Sequence, residues 1–343
     1  MDILKIISMI LIVIHHISKH GGFFENSTGF TRVVLEISNA LFLPSVNVFV
    51  YVSTYLIVKK GKVGFRGYFR IYFQVLFYSL LTFLLTWLLT KNPISFSTVI
   101  KNFFPIIFPV FWFAGAYLLM YILSPILLKI INLLKQKQYA IVVLVTISLV
   151  MILSAFPQAQ AVLFGNGFNT FWFCVLFLIS GYQAKFGINL KKWQFVLIYV
   201  ASSCLAYLLI LKNQMNVNYS HIIVLIQAVS LFSLLYDINC KNKVVVWMIK
   251  HLSLCTFGIY LLHDGVYMQQ VLYDRVLQTQ NYYGAAALGY FILFLLLIAV
   301  SGVVVDFMRR VLFKMVLWII ATFKRRRSSG NGEPSVGGKQ INS

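Results

Sequence analysis

Long apolar stretches alternate with short polar connections from Ile3 to Phe323. A hydrocarbon core about 30 Å thick needs about 20 residues for each helical span. The pattern therefore predicts an all-α fold class: a polytopic membrane protein with about ten transmembrane helices. The predicted spans are 3–20, 39–58, 68–90, 110–132, 140–156, 170–186, 193–211, 220–237, 252–270 and 285–308.

Composition supports this class and changes how the charge is interpreted. The 343 residues are 60% hydrophobic and 11% charged, with a formal net charge of +21, which leaves too little polar surface for an ordinary soluble domain. We therefore expect the lipid bilayer, and no nucleic acid, as the partner of the basic surface. Basic residues concentrate after alternate spans, which places both termini in the cytoplasm. The clusters lie at 59–70, 129–137, 185–192, 241–250 and 309–327.

Three further features bound the domain organisation. The first span is predicted to stay uncleaved, because the His15-His16 pair interrupts its apolar region. The cysteines, Cys174, Cys204, Cys240 and Cys255, form no close sequence pair and predict neither disulfides nor a zinc site. We expect one membrane-embedded domain over residues 1–323, followed by a basic, disordered cytoplasmic tail over 324–343.

The first span carries the most informative polar residues. In a helix, Lys5 and His16 are eleven steps apart, so they share a face and are separated by a rise of about 16 Å. Neighbouring His15 points about 80° from the Lys5 direction, which suits a packing or supporting role. His20 follows His16 by about one turn. This spacing would also suit a metal, but no acidic residue lies between the two and no cysteine is near, so we predict none.

A second polar stripe ends the ninth predicted span. Ser253, Thr256, Tyr260 and His263 follow at steps of three, four and three, which puts them on one helix face, and Asp264 comes next. With both termini inside, His263 and His16 lie in the same outer half of the membrane and can meet. Glu25, just beyond the first span, is either a partner of His16 or His20 or a solvated loop carboxylate.

Other polar side chains interrupt spans two to four. Polar stripes facing lipid are costly, so we infer that they converge on a hydrated or substrate-filled cavity. Lys5, Arg66 and Arg70 make its cytoplasmic mouth cationic, which suits phosphates; the alternative is that both arginines extend to lipid headgroups. The histidines suit proton transfer. The candidate supporting or acceptor-binding residues in these spans are Asn47, Ser53, Tyr55, Trp112 and Tyr117.

Several of these segments resemble the membrane-bound acyltransferase-3 family, whose members O-acylate bacterial surface polysaccharides. The segment from Asp2 to His16 resembles its opening signature, a basic residue and a histidine separated by ten residues. Segments 46–55, 111–125 and 257–263 resemble later patterns. Thr54 stands where a glycine is expected, and three residues rather than two separate Arg66 from Arg70.

The resemblance implies an O-acyltransferase of the bacterial cytoplasmic membrane, without a permanently bound cofactor. It would move acetyl from acetyl-CoA to a sugar hydroxyl of a cell-surface polysaccharide or its lipid-linked oligosaccharide precursor. As a hypothesis, Lys5, Arg66 and Arg70 hold the donor phosphates. His16 acts as general base or carries the acyl group, with Glu25 or Asp264 orienting an imidazole and His263 beside it.

Two other classes of protein fit the same polar stripes. A polysaccharide-precursor transporter or flippase would use them as a pathway and the histidines as a proton relay. A structural subunit would pair the stripes between helices and leave no cavity.

Overall fold

The computed structural model describes residues 1–108, 110–212, 217–282 and 286–330, with side chains as far as Phe323. Within these ranges the chain forms helices and no strand, which confirms the all-α prediction. The chain divides into two compact units, Met1–Val303 and Val304–Ser343. Residues 331–343 of the predicted tail lie outside the described residues.

The first unit begins with a long helix and continues through short and long helices. The elements in chain order are α1 (Asp2–His20), α2 (Phe23–Asn26), α3 (Gly29–Phe42), α4 (Ser45–Lys60), α5 (Phe65–Thr90), α6 (Phe96–Phe103), α7 (Trp112–Leu133) and α8 (Gln136–Ser154). They continue with α9 (Pro157–Phe164), α10 (Thr170–Phe186), α11 (Lys192–Leu211), α12 (Ile222–Leu235), α13 (Lys243–Ser253), α14 (Thr256–His263), α15 (Met268–Gln270) and α16 (Ala286–Gly330), which runs into the second unit.

The predicted spans have helical counterparts throughout. Among the described residues, eight helical segments are long and apolar enough to cross a membrane, and a ninth is the bent pair Pro157–Gly167 with Thr170–Phe186. The eighth predicted span is shorter than expected, because α12 has only 14 residues. The chain is thus a multi-pass membrane protein, while the cytoplasmic placement of its termini stays a prediction.

Two interruptions divide segments that the apolar pattern treats as continuous. Predicted span 39–58 is split between α3 and α4, where Pro44 precedes the first residue of α4; proline lacks the backbone N–H that would continue a helix. Predicted span 252–270 is divided into α13, α14 and the short α15. The turn after His263 carries Asp264 and Gly265 into the interior of the unit, where both are buried.

Helix α4 forms the centre of the first unit. It packs against α1, α10 and α12, and Val50, Tyr51 and Val52 have no exposed surface. A helix that is buried on all sides must bring its polar groups to partners on every side. Its Thr54 hydroxyl accordingly bonds the Ser180 hydroxyl of α10 at 2.7 Å.

The second unit, taken by itself, begins with the last part of α16. Asp306 forms ion pairs with Arg309 at 2.9 Å and Arg310 at 3.2 Å. These residues are three and four positions apart, the spacing at which helical side chains meet. The helix continues to Gly330, so residues 324–330 of the predicted tail are helical.

Candidate active site

Helix α1 brings the predicted catalytic histidine to the interior of the first unit. The helix is continuous from Asp2 to His20, so the expected rise of about 16 Å between Lys5 and His16 holds. Both His15 and His16 are buried, although they point in different directions from the helix. The part of α1 that carries His15 and His16 is therefore packed inside the protein, whereas its last residues, Lys19 and His20, are exposed.

His16 meets two side chains from the end of α14. Its Nδ1 lies 3.0 Å from Nε2 of His263 and 3.3 Å from Oδ1 of Asp264. His16, His263 and Asp264 are 5%, 1% and 9% exposed. Residues about 250 positions apart in sequence thus form one buried cluster, which we call the His16 cluster.

A backbone carbonyl sets the hydrogen positions in the His16 cluster. Nδ1 of His263 lies 2.6 Å from the carbonyl oxygen of Ile259, and a carbonyl only accepts, so this nitrogen carries the hydrogen. In the neutral ring, Nε2 of His263 then has the lone pair. Nδ1 of His16 must donate to it, which leaves the lone pair of His16 on Nε2. That atom is free to accept a proton, as a general base requires.

Asp264 is held beside His16 by its own neighbours. Gln269 donates to its Oδ1 at 3.1 Å, and the Tyr260 hydroxyl lies beside the carboxylate. Neither that hydroxyl nor Oδ2 of Asp264 has a partner at hydrogen-bond geometry in the described residues. A Cβ added at Gly265 would come within 2.9 Å of the Phe111 ring, so the turn that places Asp264 depends on close packing.

Glu25 and His20 lie at the edge of this arrangement. Glu25 is exposed on α2, and no hydrogen bond or ion pair joins it to His16 or His20 among the described residues. Asp264 occupies the orienting position instead, so of the two predicted carboxylates the structure brings in only the one after α14. His20 is exposed, with its ring centroid 5.4 Å from that of His16.

The same groups also lie at distances that a metal requires. One ligand atom each from His16, His20 and Asp264 falls within 4.8 Å of the others. The prediction that the histidines bind no metal therefore stays a prediction.

The predicted donor-binding cations lie at the Lys5 end of the bundle. Lys5 forms an ion pair with Asp2 at 3.2 Å. Arg66 and Arg70 are exposed on α5, but only Arg70 is placed near the interior, where its charge acts on Tyr117. Tyr117 also interacts with the Ser53 hydroxyl, so Arg70, Ser53 and Tyr117 form one polar group between α4, α5 and α7.

The cavity that His16 lines is small. The cavity that His16 lines, together with Met9, Phe49, Phe113 and other apolar side chains, has a volume of about 10 Å³. A single water molecule needs about that much. A thioester can enter this cavity only if these side chains move.

Of the remaining predicted supporting residues, two lie beside His16 and two lie elsewhere in the first unit. Trp112 and Tyr260 line the small cavity beside His16. Asn47 is fully buried, accepts from Trp172 Nε1 at 2.9 Å and donates to the Tyr219 carbonyl at 2.7 Å. Tyr55 lies two residues from Ser53, about 200° around α4, and packs against Phe232 of α12, away from the His16 cluster.

A larger cavity lies beside the His20 end of α1 and was not expected from the sequence. Its volume is about 410 Å³, within the usual size of small-molecule sites. We call it the Tyr219 cavity; it is lined by His15, Lys19, Phe24, Asn39, Leu43, Asn166, Phe168, Ile210, Val217, Asn218 and Tyr219. In the sequence, the polar connection before α12 was the only hint of this cavity. The sequence alone does not show where that connection lies, because its position depends on contacts with residues that are distant in the chain.

Asn39 is the other functional candidate that the sequence did not indicate. Its Oδ1 accepts a hydrogen bond from Nδ1 of His15 at 2.8 Å. This fixes His15 as a residue of the Tyr219 cavity and leaves its Nε2 with the lone pair. The expected supporting role of His15 thus has a specific partner.

Comparison with known proteins identifies the family. The family profile described as an acyltransferase domain, that of the acyltransferase-3 family, matches residues 1–306. The chain belongs to the acyltransferase-3 family. No curated protein and no solved structure shows a significant match.

As an acyltransferase-3 protein, the chain is a membrane acyltransferase, and the match covers every residue of the His16 cluster. An acyltransferase needs a base for the accepting group and a passage for the donor. The lone pair on Nε2 of His16 has the chemistry that the first of these requires.

Proposed function

We propose that the protein transfers acetyl from cytoplasmic acetyl-CoA to a sugar hydroxyl of a surface polysaccharide or its lipid-linked precursor. We further propose that it works in the cytoplasmic membrane of a bacterium. The observation that carries the chemistry is the double contact of His16 Nδ1 with His263 and Asp264. Because Nδ1 donates to these partners, the lone pair of His16 is on Nε2, and in the proposed function this nitrogen accepts the acceptor proton.

In the proposed reaction, Nε2 of His16 takes the hydroxyl proton while the hydroxyl oxygen attacks the thioester carbonyl. The C–O bond forms, the C–S bond breaks, and the CoA thiolate receives the proton from His16. The Asp264 carboxylate, 3.3 Å from Nδ1, stabilises the positive charge that His16 carries between these two steps. A route through an acyl-imidazole would use the same nitrogen.

The donor is proposed to enter from the Lys5 end of the bundle. Lys5 and Arg70 offer cations for the CoA phosphates, and Lys5 stands about 16 Å along α1 from His16. An extended pantetheine arm that lies along this face would displace Met9 and Ile12, which fill the stripe between the two residues. The small volume beside His16 therefore represents a closed state before donor binding.

A transporter is the weaker alternative. The described residues contain one strongly bent helix pair, in which Pro157–Gly167 and Thr170–Phe186 meet at 77°. A transporter built from inverted repeats carries a matching break in its other half. The bend lies in α9 and α10, whereas the His16 cluster is built by α1 and α14.

The proposed function is tested with sealed membrane vesicles that contain the protein and its glycan. Radiolabelled acetyl-CoA should label the glycan when the chain is intact, and His16→Ala should abolish the labelling. His251→Ala is the matched control, because His251 is an exposed histidine of α13, and it should retain the full rate. Labelling that persists in a normally inserted His16→Ala protein would refute the proposed role of His16.

A further inference from the structure

We propose that the Tyr219 cavity binds the acceptor, and that it selects a sugar carrying a negatively charged group. This inference rests on the proposed function and adds to it the chemical class of the acceptor. The cavity is lined from α1, α2, α3, α11 and the connections before α4, α10 and α12, and none of the proposed donor-side cations is among its lining residues.

The first argument is the position of the cavity beside the base. His15 lines the Tyr219 cavity, and its ring centroid is 6.0 Å from that of His16. The cavity also shares an aromatic wall with the small space at His16. Trp112, which lines that space, stacks on Tyr219 with 16° between their planes and contacts Phe168 at 4.5 Å. The cavity and the base are therefore neighbours, with these side chains between them, and the side chains must move when a sugar hydroxyl in the cavity reacts.

The second argument is the excess of hydrogen-bond donors. Asn218 Oδ1 accepts from the backbone N–H of Ser220 at 3.1 Å, so its amide nitrogen must donate to Asn166 Oδ1 at 3.0 Å. The two hydrogens on Asn166 Nδ2 then have no partner among the described residues. The same holds for Asn39 Nδ2, because Asn39 Oδ1 is the atom that receives the His15 hydrogen. Sugar oxygens and carboxylates are natural acceptors for such groups.

The third argument is the charge of the lining. Lys19 is the cation of the cavity, and no carboxylate is among its lining residues. Lys19 makes no ion pair within the described part of the chain. Glu36, one of the chain's few acids, is held by Arg32 at 2.5 Å, so its charge is already balanced. A ligand with a carboxylate or phosphate would complete the cavity with a charge-assisted hydrogen bond.

The aromatic part of the lining suits a sugar ring. Phe24, Phe168 and Tyr219 supply flat apolar surfaces, while the amides supply directed donors, the combination expected of a site that fixes a ligand's orientation. Burial raises the pKa of the Tyr219 hydroxyl above its usual value, so that group stays neutral. Asn47 holds the Tyr219 backbone through the carbonyl and keeps this wall in place.

The test measures binding without an acyl donor, so its failure is distinct from failure of the acyl-transfer proposal. The unfolding temperature of purified protein in nanodiscs is measured at increasing concentrations of methyl glucuronide or methyl glucoside. Only the glucuronide carries a carboxylate. The glucuronide should raise the unfolding temperature at about tenfold lower concentration than the glucoside. Lys19→Gln should remove this preference, whereas Lys101→Gln, which changes an exposed lysine of α6, should keep it.

Two more measurements make the outcome decisive. Asn166→Asp places a carboxylate in the cavity and should weaken glucuronide binding more than glucoside binding. Glycerol 3-phosphate serves as a lipid-headgroup probe and should stabilise the protein less than the glucuronide. The proposal is overturned if both sugars stabilise equally or neither does, if the preference survives Lys19→Gln, or if glycerol 3-phosphate is the better ligand.

Discussion

Replacing Asp264 by asparagine tests how the His16 cluster works. The side chains have nearly the same size, and the amide can still accept a hydrogen bond from Gln269, so the turn after α14 should persist. What the variant lacks is the negative charge that lies 3.3 Å from Nδ1 of His16. We therefore expect a loss of rate rather than a loss of folding.

The expected magnitude follows from the distance. With an effective dielectric constant of about 20, charges 3.3 Å apart attract by about 5 kcal/mol. The amide dipole recovers part of this energy, and an entering water molecule recovers more. We expect roughly half to be lost from the transition state, about 2.5 kcal/mol, which is a fall of about 70-fold in kcat.

The assay is the initial rate of acetyl transfer from labelled acetyl-CoA to glycan by reconstituted protein. The KM for acetyl-CoA should stay within about threefold of its original value, because Asp264 is not on the donor side. Asp237→Asn is the control, since Asp237 is a carboxylate in an exposed ion pair with Lys192, and it should be fully active. An Asp264→Asn protein that inserts normally and keeps more than about a third of kcat would refute the charge argument.

Three other predictions concern the donor side, the α4 core and metal. Lys5→Glu should raise the KM for acetyl-CoA by about tenfold or more with a smaller effect on kcat, whereas Lys60→Glu, at the end of α4, should not; equal effects would count against the Lys5 role. Asn47→Ala leaves the Trp172 indole and the Tyr219 carbonyl without a buried partner, which costs about 1–3 kcal/mol for each. The unfolding temperature should fall accordingly, and an unchanged value would contradict this. Dialysis against EDTA should leave the rate unchanged; a loss restored by added zinc would show a metal at His16, His20 and Asp264.

The sequence predicts the helices well. Backbone groups cannot be left without hydrogen bonds in lipid, so an apolar stretch long enough to cross the membrane indicates a helix. Helical periodicity also predicts that Lys5 and His16 share a face of α1. The predicted placement of His263 and His16 in the same half of the membrane allows the contact between them that the structure shows. The sequence shows a proline at position 44 within predicted span 39–58, but it does not show that one helix ends and another begins there. Whether a proline divides a span depends on how the chain turns from α3 into α4.

The details of the candidate site depend on contacts between segments that are distant in the chain, and such contacts cannot be read from a single sequence. Glu25 and Asp264 look alike as carboxylates near a histidine in the sequence. Asp264 reaches His16 through a turn in which Gly265 packs closely against Phe111, and that packing is not visible in the sequence. The hydrogen position on His263 depends on the Ile259 carbonyl. Tyr219 is placed by Asn47, 172 residues earlier in the chain. Periodicity carries none of this information.

The most direct test of the central claim is NMR of cell-surface glycan from cells with the intact chain, without it, and with His16→Ala. We expect an ester acetyl signal on the glycan only with the intact chain, and its loss in His16→Ala at unchanged membrane abundance. An equal ester signal in all three samples would contradict the assignment of O-acetyl transfer to the His16 cluster.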